Sequence, residues 1–156
     1  MTRIALFADV QNIYYTTRQA YGRHFNYREL WRRVSLAGEI VIANAYAIDR
    51  HDDQQRKFQD ALKHIGFTVK LKPFIQRSDG SAKGDWDVGI TIDVMEAARS
   101  VDKVILLSGD GDFDLLMKKI RQDGTTAEVY GVPALTADSL IDSASHYHPI
   151  DEELLL

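Results

Sequence analysis

The chain has 156 residues, no cysteine and a formal charge of −4, from 19 Lys and Arg against 23 Asp and Glu. That length suits one domain with a real core, and the missing cysteine excludes disulfides, zinc–thiolate sites and thiol nucleophiles. The negative balance argues against a broadly basic nucleic-acid coat while leaving local basic patches open. The N-terminal apolar run is too short for a signal peptide and is interrupted by Asp9, and no apolar stretch approaches the ~18 residues of a membrane helix, so a soluble cytoplasmic protein without membrane contact is expected.

In chain order, Arg3 to Ala8 is a strand ending at Asp9. Tyr27 to Leu36 carries Leu30, Trp31 and Val34 at helical spacing, and Glu39 to Ile48 is an apolar, β-branched strand. Asp53 to Ile65 places Phe58, Ala61, Leu62 and Ile65 on one helical face, and Gly66 stops it. Phe67 to Leu71 alternates as a third strand. Gln76 to Asp85 is polar and rich in Gly and Ser, the composition of a mobile loop. Asp87 to Arg99 is a helix that looks largely buried, and Val104 to Leu107 is the fourth strand. Phe113 to Gln122 is a helix ended by Gly124, Thr126 to Tyr130 a fifth strand, and Leu135 to Ala144 a last helix; His146 to Ile150 is a short extra strand candidate. Strands alternating with helices predict an α/β fold, a mainly parallel sheet of about five strands covered on both faces. No repeat, linker or second domain is visible, so residues 1–156 read as one domain.

The densest chemistry is Ser108-Gly109-Asp110-Gly111-Asp112-Phe113-Asp114, where three carboxylates fall within five residues at the end of a buried strand. Like charges crowded together raise one another's pKa unless a cation neutralises them, and hard cations such as Mg2+ and Mn2+ prefer oxygen ligands. In parallel sheets ligands bind beyond the carboxyl ends of the strands, where strand order reverses. That rule gathers Asp9, the Asp87 region and Asp110 with Asp112 at one edge.

Each acid also has a plainer explanation. Asp9 could cap a helix starting near Val10, Asp87 is a normal N-cap, Asp112 could cap the next helix, and Asp114 fits a first-turn acid. Asp93 is harder to dismiss: it sits among Ile90, Ile92, Val94 and Met95, where an unpaired carboxylate is costly. Asp87 and Asp93 are six apart and share a helical face poorly. Asp110 has the weakest structural explanation. Asn12 either orients Asp9, binds substrate or satisfies its turn, and Ser108 is a turn residue or a ligand contact. A calcium loop fails at Leu115 and Arg121, a dinucleotide fingerprint fails at Asp114, and no phosphate-binding Gly-rich loop with Lys-Ser/Thr occurs.

Three blocks together resemble the NYN family of PIN-like nuclease domains, in particular its bacterial LabA-like branch: Phe7-Ala8-Asp9-Val10-Gln11-Asn12, then Lys83-Gly84-Asp85-Trp86-Asp87 through Asp93, then Leu107 to Phe113. Gly124, Val129-Tyr130-Gly131 and Ala137 to Leu140 also fit, so the resemblance covers nearly the whole chain. It implies a Rossmann-like three-layer α/β/α sandwich and a metal-dependent ribonuclease site. Carried over, Asp9, Asp93, Asp110 and Asp112 form the acidic catalytic core and metal site, with Asp87 a further metal ligand, and Asn12, Lys83 and Ser108 match motif positions that would support substrate or metal; Arg77, on the loop before the Asp87 helix, is a substrate-binding candidate by its charge alone. The Asp85-Trp86 pair departs from relatives that have one residue fewer between Lys-Gly and the next Asp.

The implied cofactor is Mg2+ or Mn2+, which serves water activation and leaving-group stabilisation, and the implied partner is RNA. Arg18, Arg23, His24, Arg77 and Lys83 offer positive charge for phosphates, though each alone reads more simply as solvated surface. Tyr14, Tyr15 and Tyr21 are candidate base-stacking residues or packing aromatics. The His146-x-His148 pair favours a local surface over metal ligation. Two other functions stay open: a catalytically silent RNA- or protein-binding regulatory module, and a phosphatase for small phosphoesters. A homodimer is left open as well.

Overall fold

The computed structural model describes residues 1–73, 75–76, 82–83 and 85–156, with 73, 75, 76, 82 and 83 described by their backbone alone. Six strands form one parallel sheet: β1 (Arg3–Asp9), β2 (Glu39–Asp49), β3 (Thr68–Pro73), β6 (Lys103–Leu107), β7 (Thr126–Gly131) and β8 (His146–Pro149), in the order β3-β2-β1-β6-β7-β8. β1 is central. The chain moves outward from it to β3, crosses back to β6, and moves outward again to β8. Strand order therefore reverses between β1 and β6. Because parallel crossovers are right-handed, moving in opposite directions places helices on opposite faces.

Alternation within β1 shows the result. Ile4, Leu6 and Ala8 join one core with Ile13, Leu30 and Leu62, from α1 (Val10–Tyr21), α2 (Tyr27–Ala37) and α3 (Asp53–Ile65). Ala5 and Phe7 join the other with Ile90, Val94, Met117 and Leu140, from α4 (Asp87–Ala97), α5 (Asp114–Gln122) and α6 (Asp138–Ser143). A strand buried on both faces reads as a continuous apolar run, as Ile4 to Ala8 does. This is the expected α/β three-layer architecture, with one strand more than the five counted from sequence.

The added strand is β8, whose short segment pairs with β7 from Glu128↔His146 to Gly131↔Pro149. Its anchor is chemical as well as apolar: His148 Nε2 lies 2.7 Å from Glu128 and its ring stacks on Tyr130. The helix expected from Phe113 instead begins as a 3-10 turn over Gly111–Phe113, with α5 proper starting at Asp114. Similarly, the last helix splits into a 3-10 turn, Pro133–Leu135, and α6. α4 is not buried all round: Ile90, Val94 and Ala97 face the core, while Val88 and Ile92 are exposed. Within the stretch read as a mobile loop, β4 (Ile75–Gln76) pairs antiparallel with β5 (Ala82–Lys83); residues 77–81 and 84 lie outside the described residues. Among the described residues no helix is long and apolar enough to cross a membrane.

Candidate functional site

β1 and β6 are neighbours, and both end at the point where strand order reverses. Asp9 is the last residue of β1 and only 9% exposed. It stands where an N-cap would, but makes no side-chain cap bond to α1. Its Oδ2 instead accepts a 3.0 Å hydrogen bond from the hydroxyl of Ser108, a fully buried residue just after β6. The same Ser108 oxygen accepts from the Asp110 N–H at 3.1 Å. One turn into α1, Asn12 Oδ1 accepts from the Gly109 N–H at 2.9 Å. Ser108 and Asn12 therefore tie the β6 loop to the end of β1.

The glycines of that loop are required by packing. A Cβ on Gly109 would come within 2.6 Å of the Leu135 carbonyl oxygen, and one on Gly111 within 2.9 Å of Ala137. The Ala137 N–H donates to the Gly109 carbonyl at 3.0 Å. The segment after β7 thus lies directly on Gly109 and Gly111, and holds Asp110 between them at the sheet edge. Asp110 has a local role too: its Oδ1 accepts from the Asp112 N–H at 2.9 Å and caps the 3-10 turn.

Asp87, at the first position of α4, faces this loop. Oxygens of Asp87, Asp110 and Asp112 all lie within 4.8 Å of one another. Desolvation, then the charges of Asp110 and Asp85, the Asp112 carboxyl and the charge of Asp9, push the Asp87 carboxyl up to about 7. Asp9 rises to about 6, chiefly by burial; the Ser108 hydroxyl opposes the shift, and the charges of Asp110 and Asp85 add to it. Negative charge is concentrated here beyond what the fold itself neutralises.

Asp93, expected in the acidic core, stands apart. Its Oδ2 accepts from Lys70 Nζ on β3 and from the Tyr46 hydroxyl on β2, each at 2.7 Å. Burial alone would raise its carboxyl, but these two donors hold it below the usual value. The cost of an acid on the inner side of α4 is thus offset by a lysine, with no need for a metal. Arg77 lies outside the described residues, and Lys83 is described only as backbone paired with Ile75.

Trp86, Lys72 and Asp85 position Asp87. Trp86 donates from Nε1 to the Ala47 carbonyl at 2.9 Å and packs against Tyr46, and Lys72 Nζ sits over the indole, 4.5 Å from its ring centre. Lys72 also donates to the Asp85 carbonyl, and Asp85 Oδ1 accepts from the Asp87 N–H. Gly89 leaves room for the indole, since a Cβ there would lie 2.6 Å from it. The available signals were alternating Lys70 and Lys72 in β3 and a Gly one turn after a Trp.

Comparison with known proteins agrees with this fold. The sequence profile described as NYN domain matches residues 3–151. The low amplitude and bright protein LabA of Synechococcus elongatus is 30% identical over 159 aligned residues, covering 97% of this chain and 85% of LabA. A crystal structure of a protein of unknown function from Vibrio parahaemolyticus is 52% identical, covers 99% of this chain and 96% of its own, and superposes with a TM-score of 0.94.

Proposed function

The chain belongs to the NYN domain family, a PIN-like nuclease family, and we propose that it is a cytoplasmic, metal-dependent ribonuclease acting at the edge between β1 and β6. The observation that carries this reading is the convergence of Asp87, Asp110 and Asp112 within 4.8 Å, with Asp87 pushed to about 7 by its neighbours. Three clustered carboxylate oxygens are a donor set suited to Mg2+ or Mn2+, and an ion would relieve the repulsion the cluster carries. Such an ion, when bound, supplies phosphoryl polarisation and a more acidic water.

The chain's own residues divide the remaining work. Asp87, Asp110 and Asp112 would hold the ion. Asp9 supplies further negative charge from behind and, being buried with a raised pKa, is suited to take up a proton at near-neutral pH. Ser108 orients both Asp9 and the Asp110 backbone. Asn12 fixes the loop through its oxygen, which leaves its amide NH2 for a phosphate oxygen. Asp93 stabilises the seat of α4 and acts at a distance from the chemistry.

The test is cleavage of labelled single-stranded RNA with Mg2+, Mn2+ or EDTA. Cleavage is expected with metal, none with EDTA, and none in Asp110→Asn. Metal-dependent cleavage that survives in Asp110→Asn would remove that residue from the site. Metal-independent RNA retention without cleavage would favour a binding module, and phosphate release from small esters alone would favour a phosphatase.

A further inference from the structure

A cavity of about 530 Å3 opens beside the acidic edge, between α1, α3 and the segment around His24. Its wall starts at Val10 and Gln11, immediately after Asp9. Its floor is apolar and buried, formed by Ile13, Phe25 and Tyr27. Its rim carries three large rings that a packing role would have hidden: Tyr14 is 40% exposed, Tyr15 48% and Phe58 37%. Tyr14 stacks on His24 at 5.8 Å with 27° between planes, and meets Tyr15 edge-on at 5.4 Å. The side-chain amides of Gln11 and Gln54, also on the rim, make no hydrogen bond among the described residues. Tyr21 behaves differently: its hydroxyl is tied to the Ile150 carbonyl at 2.7 Å, so it is a packing residue.

Beyond the Tyr14–His24 stack a second, smaller cleft of about 290 Å3 is lined by Arg18, Gly22 and Arg23. The Arg18 guanidinium donates to the Tyr14 hydroxyl. From Val10 to Arg18 the helix rises roughly 12 Å. Carboxylates, an aromatic cavity with free amide groups and a basic cleft therefore follow one another along α1. Alternating flat rings and cations is the surface that single-stranded nucleic acid selects, because every base has a face to stack and every linkage a phosphate to neutralise. The cavity's volume lies within the range of small-molecule sites and exceeds what one base requires.

We propose that this cavity is a base-binding subsite for single-stranded RNA, taking one nucleobase of the strand whose phosphate lies at the Asp87–Asp110–Asp112 cluster, stacked on Tyr15 and Tyr14, with the adjoining phosphate received by Arg18 and Arg23. It rests on the ribonuclease reading for the identity of the strand. It does not rest on it for the binding itself.

The probe is a labelled 12-nucleotide single-stranded RNA carrying 2-aminopurine, titrated in EDTA so that no cleavage intervenes. The expected result is quenching of 2-aminopurine on binding, tenfold or more weaker affinity in Tyr15→Ala, and near-native affinity in Tyr15→Trp and in the packing control Tyr21→Phe. Because Tyr15 is half exposed, Tyr15→Ala should melt within a few degrees of the native protein, and Arg18→Ala gives an independent loss of affinity through the basic cleft. Affinity within twofold of native in both Tyr15→Ala and Tyr14→Ala would overturn the proposal. Saturation by AMP or UMP at lower concentration than by the oligonucleotide would overturn the assignment to a strand. Tyr15-dependent binding in a protein that cleaves nothing would leave the subsite standing and remove the ribonuclease; cleavage with unchanged KM and affinity in Tyr15→Ala would do the reverse.

Discussion

α4 carries two inward-facing acids in opposite circumstances. Asp87, at its first position, meets Asp110 and Asp112 and titrates near neutrality. Asp93, six residues on, meets Lys70 and Tyr46 and stays ionised. Both are aspartates on the same helix, and both lie near the sheet. The difference is what stands beside them: Asp93 lies over β2 and β3, where a lysine reaches it, while the charged side chains set against Asp87 among the described residues are other acids. Glu128 repeats the compensated pattern on the far side of the sheet. Burial alone would raise its carboxyl, but His148 and Lys103 pull it down to about 2. A satisfied acid marks architecture; an unsatisfied group of acids offers the oxygen donors a cation takes.

The largest expected effect is on activity. Asp87→Asn should lower RNA cleavage by about 100-fold or more, the upper end of what even indirect metal partners contribute, while Asp93→Asn should retain far more. Equal losses in single-turnover assays would erase the distinction between the two acids. Next comes metal-linked stability. At a Mn2+ concentration of 100 times Kd the native protein should gain about 2.7 kcal/mol, a gain that EDTA reverses and that Asp87→Asn/Asp110→Asn lacks. A thermal shift that persists in the double variant would place the ion elsewhere.

Smaller still is the cost of breaking the compensated pair. Asp93→Asn leaves Lys70 partly buried without its counter-charge and should destabilise the metal-free protein by about 1–2 kcal/mol in urea, between the exposed and buried limits for ion pairs. Asp87→Asn should be neutral or stabilising under the same conditions, because it removes repulsion. The two classes also titrate in opposite senses. Asp9 and Asp87 hold protons in the folded state up to about 6 and 7, against 3.8 unfolded, so their contribution to metal-free stability falls as pH rises through that window. Glu128 falls to about 2 from 4.5, so its contribution is complete above 4.5 and is lost as pH drops toward 2. Denaturation profiles of Asp87→Asn and Glu128→Gln should flatten in those separate windows. The smallest effect is Tyr46→Phe, about 1 kcal/mol, since Lys70 remains on Asp93.

The layered fold and the meeting of Asp9 with the Ser108–Asp112 loop were legible because both depend on local signals: apolar runs, Gly-rich strand ends and the rule for parallel sheets. Partner identity was not. Nothing in residues 87–99 announces that Lys70 waits under Asp93, because that contact depends on how far β3 extends beside β2, and register is a three-dimensional quantity. The start of α5 differs for a local reason: Asp110 bonds the Asp112 N–H and tightens the chain into a 3-10 turn before the helix begins. The aromatic cavity was half visible in Tyr14 and Tyr15, yet separating them from Tyr21 required knowing that Tyr21 reaches Ile150.

The Ser108–Asp9 hydrogen bond joins residues 99 positions apart. Closing so long a loop is slow and is repaid only after β6 docks against β1. During synthesis, Asp9 emerges early but can have no working neighbours until most of the chain has followed it. A half-folded copy would carry scattered acids, so the acidic group comes together only with the completed sheet.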